Sequence, residues 1–366
     1  MNNSKAFTAA LVCLSINACK VEIEVPSSGE VTTSSGAYSC AAGQTCSIDV
    51  NDIYFDETFV AEPADGFVFT HWKQVNRSLC AGGTASCRLE TSGFEGNEAL
   101  TAILEDPDEV YYLEPNFQST GFKSLFIGHS FFRPFADAMP EHAARAGIPN
   151  HTQSVVFSGG GTGAPEALWN NPQKGPQIRS ILDGGDIELF VMTYHPDYPG
   201  FNGYRLWIDY ALEQNPDTRI ALALPWGAYP EDYDAAGYEV AWEVFQAGEW
   251  HGGIELGRSR YPSTEIFSIP YGRAAIELRN LFVAGQLSDV DVLTSKTGEA
   301  IFRDALGHAD QILVDLGELV WLRAIYGIDL TTYDFDPGYE ADLKAIAQQI
   351  MDEHGELYEI YDAPYR

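Results

Sequence analysis

An α/β fold is predicted for most of this chain: a parallel sheet covered by helices on both faces, preceded by a small antiparallel β domain. Three observations predict it. From residue 121 onward, short continuous apolar runs alternate with longer amphipathic stretches, the pattern of buried parallel strands joined by crossover helices. Before residue 117 the apolar residues instead recur every second position between Gly, Ser and Asn turns, which is the period of a half-buried strand. Finally, the cysteines are confined to the first part, ending at Cys87.

The β domain is predicted over 20–116, with strands at 21–25, 46–50, 58–61, 66–70 and 100–104 and no helix. A stretch rich in acid, Pro and Asn at 106–119 reads as the linker. In the part from 117 to 366, strands are predicted at 124–128, 153–158, 187–193, 219–225 and 265–270. Helices are predicted at 131–147, 165–171, 203–214, 235–248 and 273–284, with a long last one from about 300 to 326. In such sheets ligands bind beyond the carboxyl ends of the strands. Ser130, the glycine loop 159–163, His195 and Trp226 all fall at such ends.

Composition narrows the partners. The chain has 366 residues and 45% hydrophobic content, enough for one large core and a smaller one. Lys and Arg number 21 against 53 acidic residues, a formal charge of −32 that repels nucleic acid and anionic membrane surfaces. Asp49, Asp52, Asp56 and Glu57 form an acidic cluster, but their spacing is not that of a calcium-binding loop. No metal or organic cofactor is implied.

The first 19 residues read as an export signal. Lys5 is the single early charge, an apolar stretch runs from Ala6 to Ile16, and small residues lead to Cys19. The stretch is too short to span a bilayer. Its end resembles a bacterial lipoprotein signal, which implies Cys19 as a lipidated first residue and membrane attachment only through that anchor. Ordinary secretion is the alternative. Four cysteines then remain, Cys40, Cys46, Cys80 and Cys87, an even and clustered set suited to two disulfides in an exported chain. Three pairings are possible, and the local ones, Cys40–Cys46 and Cys80–Cys87, each close a short loop.

The chemistry centres on Ser130, placed just after an apolar strand by Gly128 and His129. A serine hydroxyl needs a base, and an imidazole oriented by a carboxylate is the usual one. Asp304 and His308 offer both, and the prediction places them at the start of the last helix. The run Ser158-Gly-Gly-Gly-Thr-Gly163 allows backbone N–H groups to approach a substrate closely, as an anionic intermediate requires. It lacks the Lys-Ser/Thr of a phosphate-binding loop. Aromatic residues crowd the same end: Trp169, Tyr194 and Trp226 are the candidates to contact substrate, and sugar rings or apolar acyl groups would both suit them.

These blocks resemble the SGNH (GDSL-like) hydrolases over residues 121 to about 330. The resemblance implies a flavodoxin-like sheet, Ser130 as nucleophile and one oxyanion donor, Gly163 as the second donor, His308 as base and Asp304 as its partner. His129 stands where the family has aspartate, and the Asp304–His308 spacing is one residue wider than usual. The asparagine that donates to the oxyanion after the third strand is missing. The strand there runs into Thr193-Tyr-His-Pro-Asp197, and His195 is the candidate replacement. Within the first domain, Gly66, Phe67 and Trp72 followed by Cys80 and Cys87 resemble a divergent InlB-type β repeat of bacterial surface proteins, which implies a spacer or adhesion-like unit. The sequence is therefore expected to encode an exported serine hydrolase acting on an ester-bearing small molecule or polysaccharide, with deacetylation of a carbohydrate as one form. The alternative is a non-catalytic carbohydrate-binding surface protein on the same fold.

Overall fold

The structure, a computed structural model, describes residues 18–297, 299–355 and 358–360. The predicted signal lies outside these residues except for its last two positions. The chain divides into two compact units at the bond between Gln118 and Ser119.

The first unit is built from short strands around one apolar cluster that includes Val21, Ile23, Phe59 and Trp72. Strand Cys19–Glu24 sits between Thr45–Val50, antiparallel to it, and Val110–Leu113, which is parallel. A four-stranded antiparallel sheet follows the order Ser39–Cys40, Gly29–Thr33, Asp56–Pro63, Cys87–Glu90. The alternation read from the sequence is visible in Gly29–Thr33, where Val31 and Thr33 are buried and Glu30 is exposed. Disulfides join Cys40 to Cys46 and Cys80 to Cys87. Asp56 and Glu57 are engaged by Arg88 and Ser35. Among the described residues no group of three or more His, Cys, Asp or Glu side chains is arranged to hold a metal ion.

Two expectations fail in this unit. The residues 100–104 belong to a helix, Glu98–Leu104, because the Asn97 side chain accepts from the backbone N–H groups of Ala99 and Leu100 and caps its start. The predicted linker is also structured, since Val110–Leu113 and Pro115–Ser119 are both strands.

The second unit is a five-stranded, wholly parallel sheet. Its strands are β1 (Lys123–Gly128), β2 (Thr152–Phe157), β3 (Leu189–Thr193), β4 (Arg219–Ala223) and β5 (Ile266–Ile269), in the order β2-β1-β3-β4-β5. All five residues of β3 are buried, as continuous apolar strands in a two-sided sheet should be. Helices α1 (Arg133–Arg145), α2 (Pro165–Asn170), α3 (Lys174–Leu182), α4 (Asn202–Gln214), α5 (Ala235–Phe245), α6 (His251–Arg260), α7 (Gly272–Val283), α8 (Gln311–Tyr326) and α9 (Leu343–His354) cover it. Phe126 on β1 meets Trp321 of α8 on one face, while Phe190 on β3 meets Trp207 of α4 on the other.

The expected helix over 300–326 is not continuous. Ala300–Phe302 is a short strand, a turn follows, and α8 begins only at Gln311. Gly307, at φ +96°, and the Asp304 carboxylate, which accepts from the N–H groups of Gly307 and His308, hold that turn out of helix. α3, α6 and α9 had no counterpart in the sequence reading. A wide π-helical turn, Gln246–Trp250, joins α5 to α6.

Candidate active site

Four loops converge beyond the carboxyl ends of the strands. β1 ends at Gly128 and delivers Ser130 two residues later, just ahead of α1. The turn between strand Ala300–Phe302 and α8 brings up the second part. Ser130 Oγ lies 2.8 Å from His308 Nε2, and His308 Nδ1 lies 2.7 Å from Asp304 Oδ2. With the carboxylate accepting the Nδ1 proton, Nε2 is left free to accept the serine hydroxyl. The other Asp304 oxygen accepts the two backbone N–H groups of the turn. Partial burial pushes the Asp304 carboxyl up, but the hydrogen bonds from the His308 side chain and backbone and from Gly307 outweigh it and hold the group below its ordinary range. The four-residue step from Asp304 to His308 is thus a turn closed on its own aspartate.

That turn is held from two sides. The Trp226 indole N–H donates to the Gly307 carbonyl at 2.7 Å, and the Tyr229 N–H donates to the Leu306 carbonyl at 3.0 Å. A side chain at Gly307 would also meet Pro230 at 2.9 Å. Phe131 stacks on Trp226 and stands nearly perpendicular to the His308 ring, with centroids 5.0 and 5.1 Å apart.

His129 and His195 form a second pair, 5.0 Å apart between ring centroids and nearly perpendicular. His129 is buried. Its Nδ1 accepts the Phe131 N–H at 3.4 Å, so Nε2 carries the proton and donates to the Tyr194 carbonyl at 2.8 Å. Burial drives its pKa down to about 4, against the opposing Tyr194 bond and with help from His195 and His308. A neutral imidazole therefore ties the end of β1 to the loop after β3. His195 takes the same tautomer: the Asp197 N–H donates to its Nδ1 at 3.2 Å, leaving the proton on Nε2. Burial lowers its pKa as well, with Asp197 opposing.

These loops enclose a cavity of about 560 Å³. Ser130, Tyr194, His195 and Trp226 line it. Gly163 does not: it is buried behind the wall, where any Cβ would stand 2.5 Å from the carbonyl oxygens of Gly128 and Ser158. Gly160 and Gly161 of the same run face the cavity instead. Trp169 is also elsewhere, its ring packed edge-on against Trp207 and covered by Arg179, because it falls on the inner side of α2. The sequence reading did not single out the Asp197 N–H, nor Tyr238, Trp242 and Phe245, which line the cavity from α5. The run Thr193-Tyr-His-Pro-Asp197 held a signal for the first, an Asp two residues beyond a His; periodicity alone made the aromatic residues of α5 look like core.

No protein-family model matches the sequence, and no curated protein sequence matches it. Among solved structures, a DUF4886 family protein from Bacteroides uniformis is similar at 16% identity and a TM-score of 0.42, covering 64% of this chain and 94% of that one. The periplasmic domain of a lipopolysaccharide acetyltransferase from Salmonella ser. Paratyphi A is similar at 13% identity and a TM-score of 0.34, covering 56% and 83%. A GDSL-like lipase from Parabacteroides merdae is similar at 13% identity and a TM-score of 0.35, covering 56% and 98%. The functional reading therefore rests on the site itself.

Proposed function

We propose that this chain is a serine ester hydrolase of SGNH type. One observation carries the reading: the hydroxyl of Ser130, the imidazole of His308 and the carboxylate of Asp304 are linked in series by hydrogen bonds of 2.8 and 2.7 Å. The serine oxygen attacks the ester carbonyl carbon while His308 Nε2 takes its proton. The carbonyl oxygen becomes negative. As the bond to the alcohol breaks, His308 returns the proton to the departing oxygen and the acyl group stays on Ser130. Water then repeats the sequence, losing its proton to His308, and releases the acid. The Ser130 N–H and the His195 Nε2–H are the donors assigned to the oxyanion, with Gly160 and Gly161 nearer to that role than Gly163.

The two disulfides suit an oxidising compartment, and export fits the first residues of the chain. Lipidation at Cys19 belongs to the same proposal. It requires the thiol, which is buried and donates to the Val50 carbonyl, to leave that position. A polysaccharide as the alcohol half of the ester, and an InlB-like spacer role for the first unit, complete the reading.

The test is turnover of p-nitrophenyl acetate together with covalent labelling by a fluorophosphonate. Wild type should be labelled at Ser130 and Ser130→Ala should lose at least about a thousandfold in kcat. Equal inertness of both proteins, with glycans still bound, would replace the enzyme by a carbohydrate-binding protein on the same fold.

A further inference from the structure

We infer that the cavity beside Ser130 receives the acyl half of the ester, and that this acyl group is bulky and apolar, not acetyl. The inference rests on the hydrolase reading above. At about 560 Å³ the cavity falls in the range that encloses whole drug-sized ligands, far more room than two carbons need. Its far wall is α5, through Tyr238, Ala241, Trp242 and Phe245.

The side-chain donors in and beside that wall are already engaged. The Trp226 N–H is held by the Gly307 carbonyl, the Trp242 N–H by the Pro225 carbonyl at 3.1 Å and the Tyr238 hydroxyl by the Gly227 carbonyl at 2.7 Å. A sugar ring laid against that wall would strip water from several hydroxyls and meet aromatic faces with no free side-chain donor. An aryl or alkyl group loses nothing and covers aromatic faces. Among the described residues of the lining there is no Lys or Arg, and Asp197 is the one carboxylate, so a negatively charged acyl group is disfavoured as well.

The choice of half follows from the order of events. The alcohol must take a proton from His308 and leave first, while the acyl group stays on Ser130 through the second step. The His308 turn is at the open rim, where Leu306 and Tyr229 are 38% and 53% exposed. An alcohol, even a sugar, can leave there into water. The buried aromatic side chains of Tyr238 and Trp242 suit the half that remains.

Methyl esters isolate the acyl group, since the alcohol is then as small as possible. In a pH-stat assay of the full chain, kcat/KM for methyl octanoate or methyl benzoate should exceed that for methyl acetate about tenfold or more. The octanoate-to-benzoate ratio separates an alkyl from an aryl preference. Ala241→Trp narrows the wall without touching the triad; it should cut kcat/KM for the bulky esters at least about tenfold more than for methyl acetate, and a cooperative thermal melt near that of wild type shows that the variant is folded. Methyl acetate turned over as well as the bulky methyl esters overturns the inference, and that outcome leaves the hydrolase reading intact. If no ester is cleaved and Ser130 resists the fluorophosphonate, the hydrolase reading itself falls and takes the inference with it.

Discussion

Trp226 and Gly307 are joined by a 2.7 Å hydrogen bond from indole N–H to carbonyl, one residue ahead of the imidazole that meets Ser130. A residue at the end of β4 thereby sets the height of a turn 81 positions later. Trp226→Phe keeps an aromatic ring beside Phe131 but removes that bond together with part of a buried indole. One neutral hydrogen bond is worth about 1 kcal/mol, so kcat should fall roughly fivefold, while the lost packing lowers the melting temperature by a few degrees. Steady-state kinetics on a small ester test this, and an unchanged kcat would show that the turn needs no such tether.

Asp304→Asn should do more damage. The two backbone N–H groups of the turn would capture the amide oxygen, turning the amide NH₂ toward His308 Nδ1. The imidazole would then carry its proton on Nε2, where Ser130 needs an acceptor. We expect kcat to drop at least about a hundredfold. Wild-type stability carries a sign as well. Because the folded carboxyl lies below its ordinary pKa, its contribution is complete above the unfolded value of about 3.9 and is lost as pH falls through the folded one. The stability gap between wild type and Asp304→Asn should therefore be constant near neutrality and close in acid.

His195 offers a test of the substituted oxyanion donor. His195→Ala should lower kcat by about a hundredfold or more, the usual cost of one such donor, with KM nearly unchanged. His195→Gln, whose amide N–H reaches about as far as Nε2, should recover part of it. Loss of KM without loss of kcat would assign His195 to binding alone.

Buried histidines predict acid sensitivity. His129 has its pKa pushed down to about 4 and His354 to about 3, chiefly by burial. The unfolded chain binds these protons near pH 6.5, so each contributes stability that is full above that value and lost as pH falls toward the folded pKa. For His129 the loss approaches about 3 kcal/mol by pH 4. Asp315 and Glu318, whose pKa values burial raises, act in the opposite sense. The clean measurement is comparative: urea unfolding of wild type and His129→Gln between pH 7 and 4.5, with the shallower slope expected for the variant. Parallel slopes would contradict it.

Much of this was legible in the residues. All five strands of the parallel sheet are legible as short apolar runs, and in β1, β3, β4 and β5 burial on both faces leaves no polar alternation to confuse them. Ser130 and His308 were placed together across 178 positions by residue type and order alone. What failed were places where one hydrogen bond or one dihedral outweighs periodicity. Asn97 turns a strand-like run into a capped helix, and Gly307 with Asp304 cuts a turn out of a helical pattern. Trp169 was misplaced for another reason: an aromatic near a strand end can face either the loops or the neighbouring helix, and only packing against Trp207 decides.

The last cysteine of the chain, Cys87, lies in the first unit, so the unit that holds Ser130 has no sulfhydryl of its own. Mercurials, alkylating agents and peroxide find no thiolate there to poison. Any inactivation they cause must act through Met, His or Trp, or through the Cys19 thiol and the disulfides of the first unit.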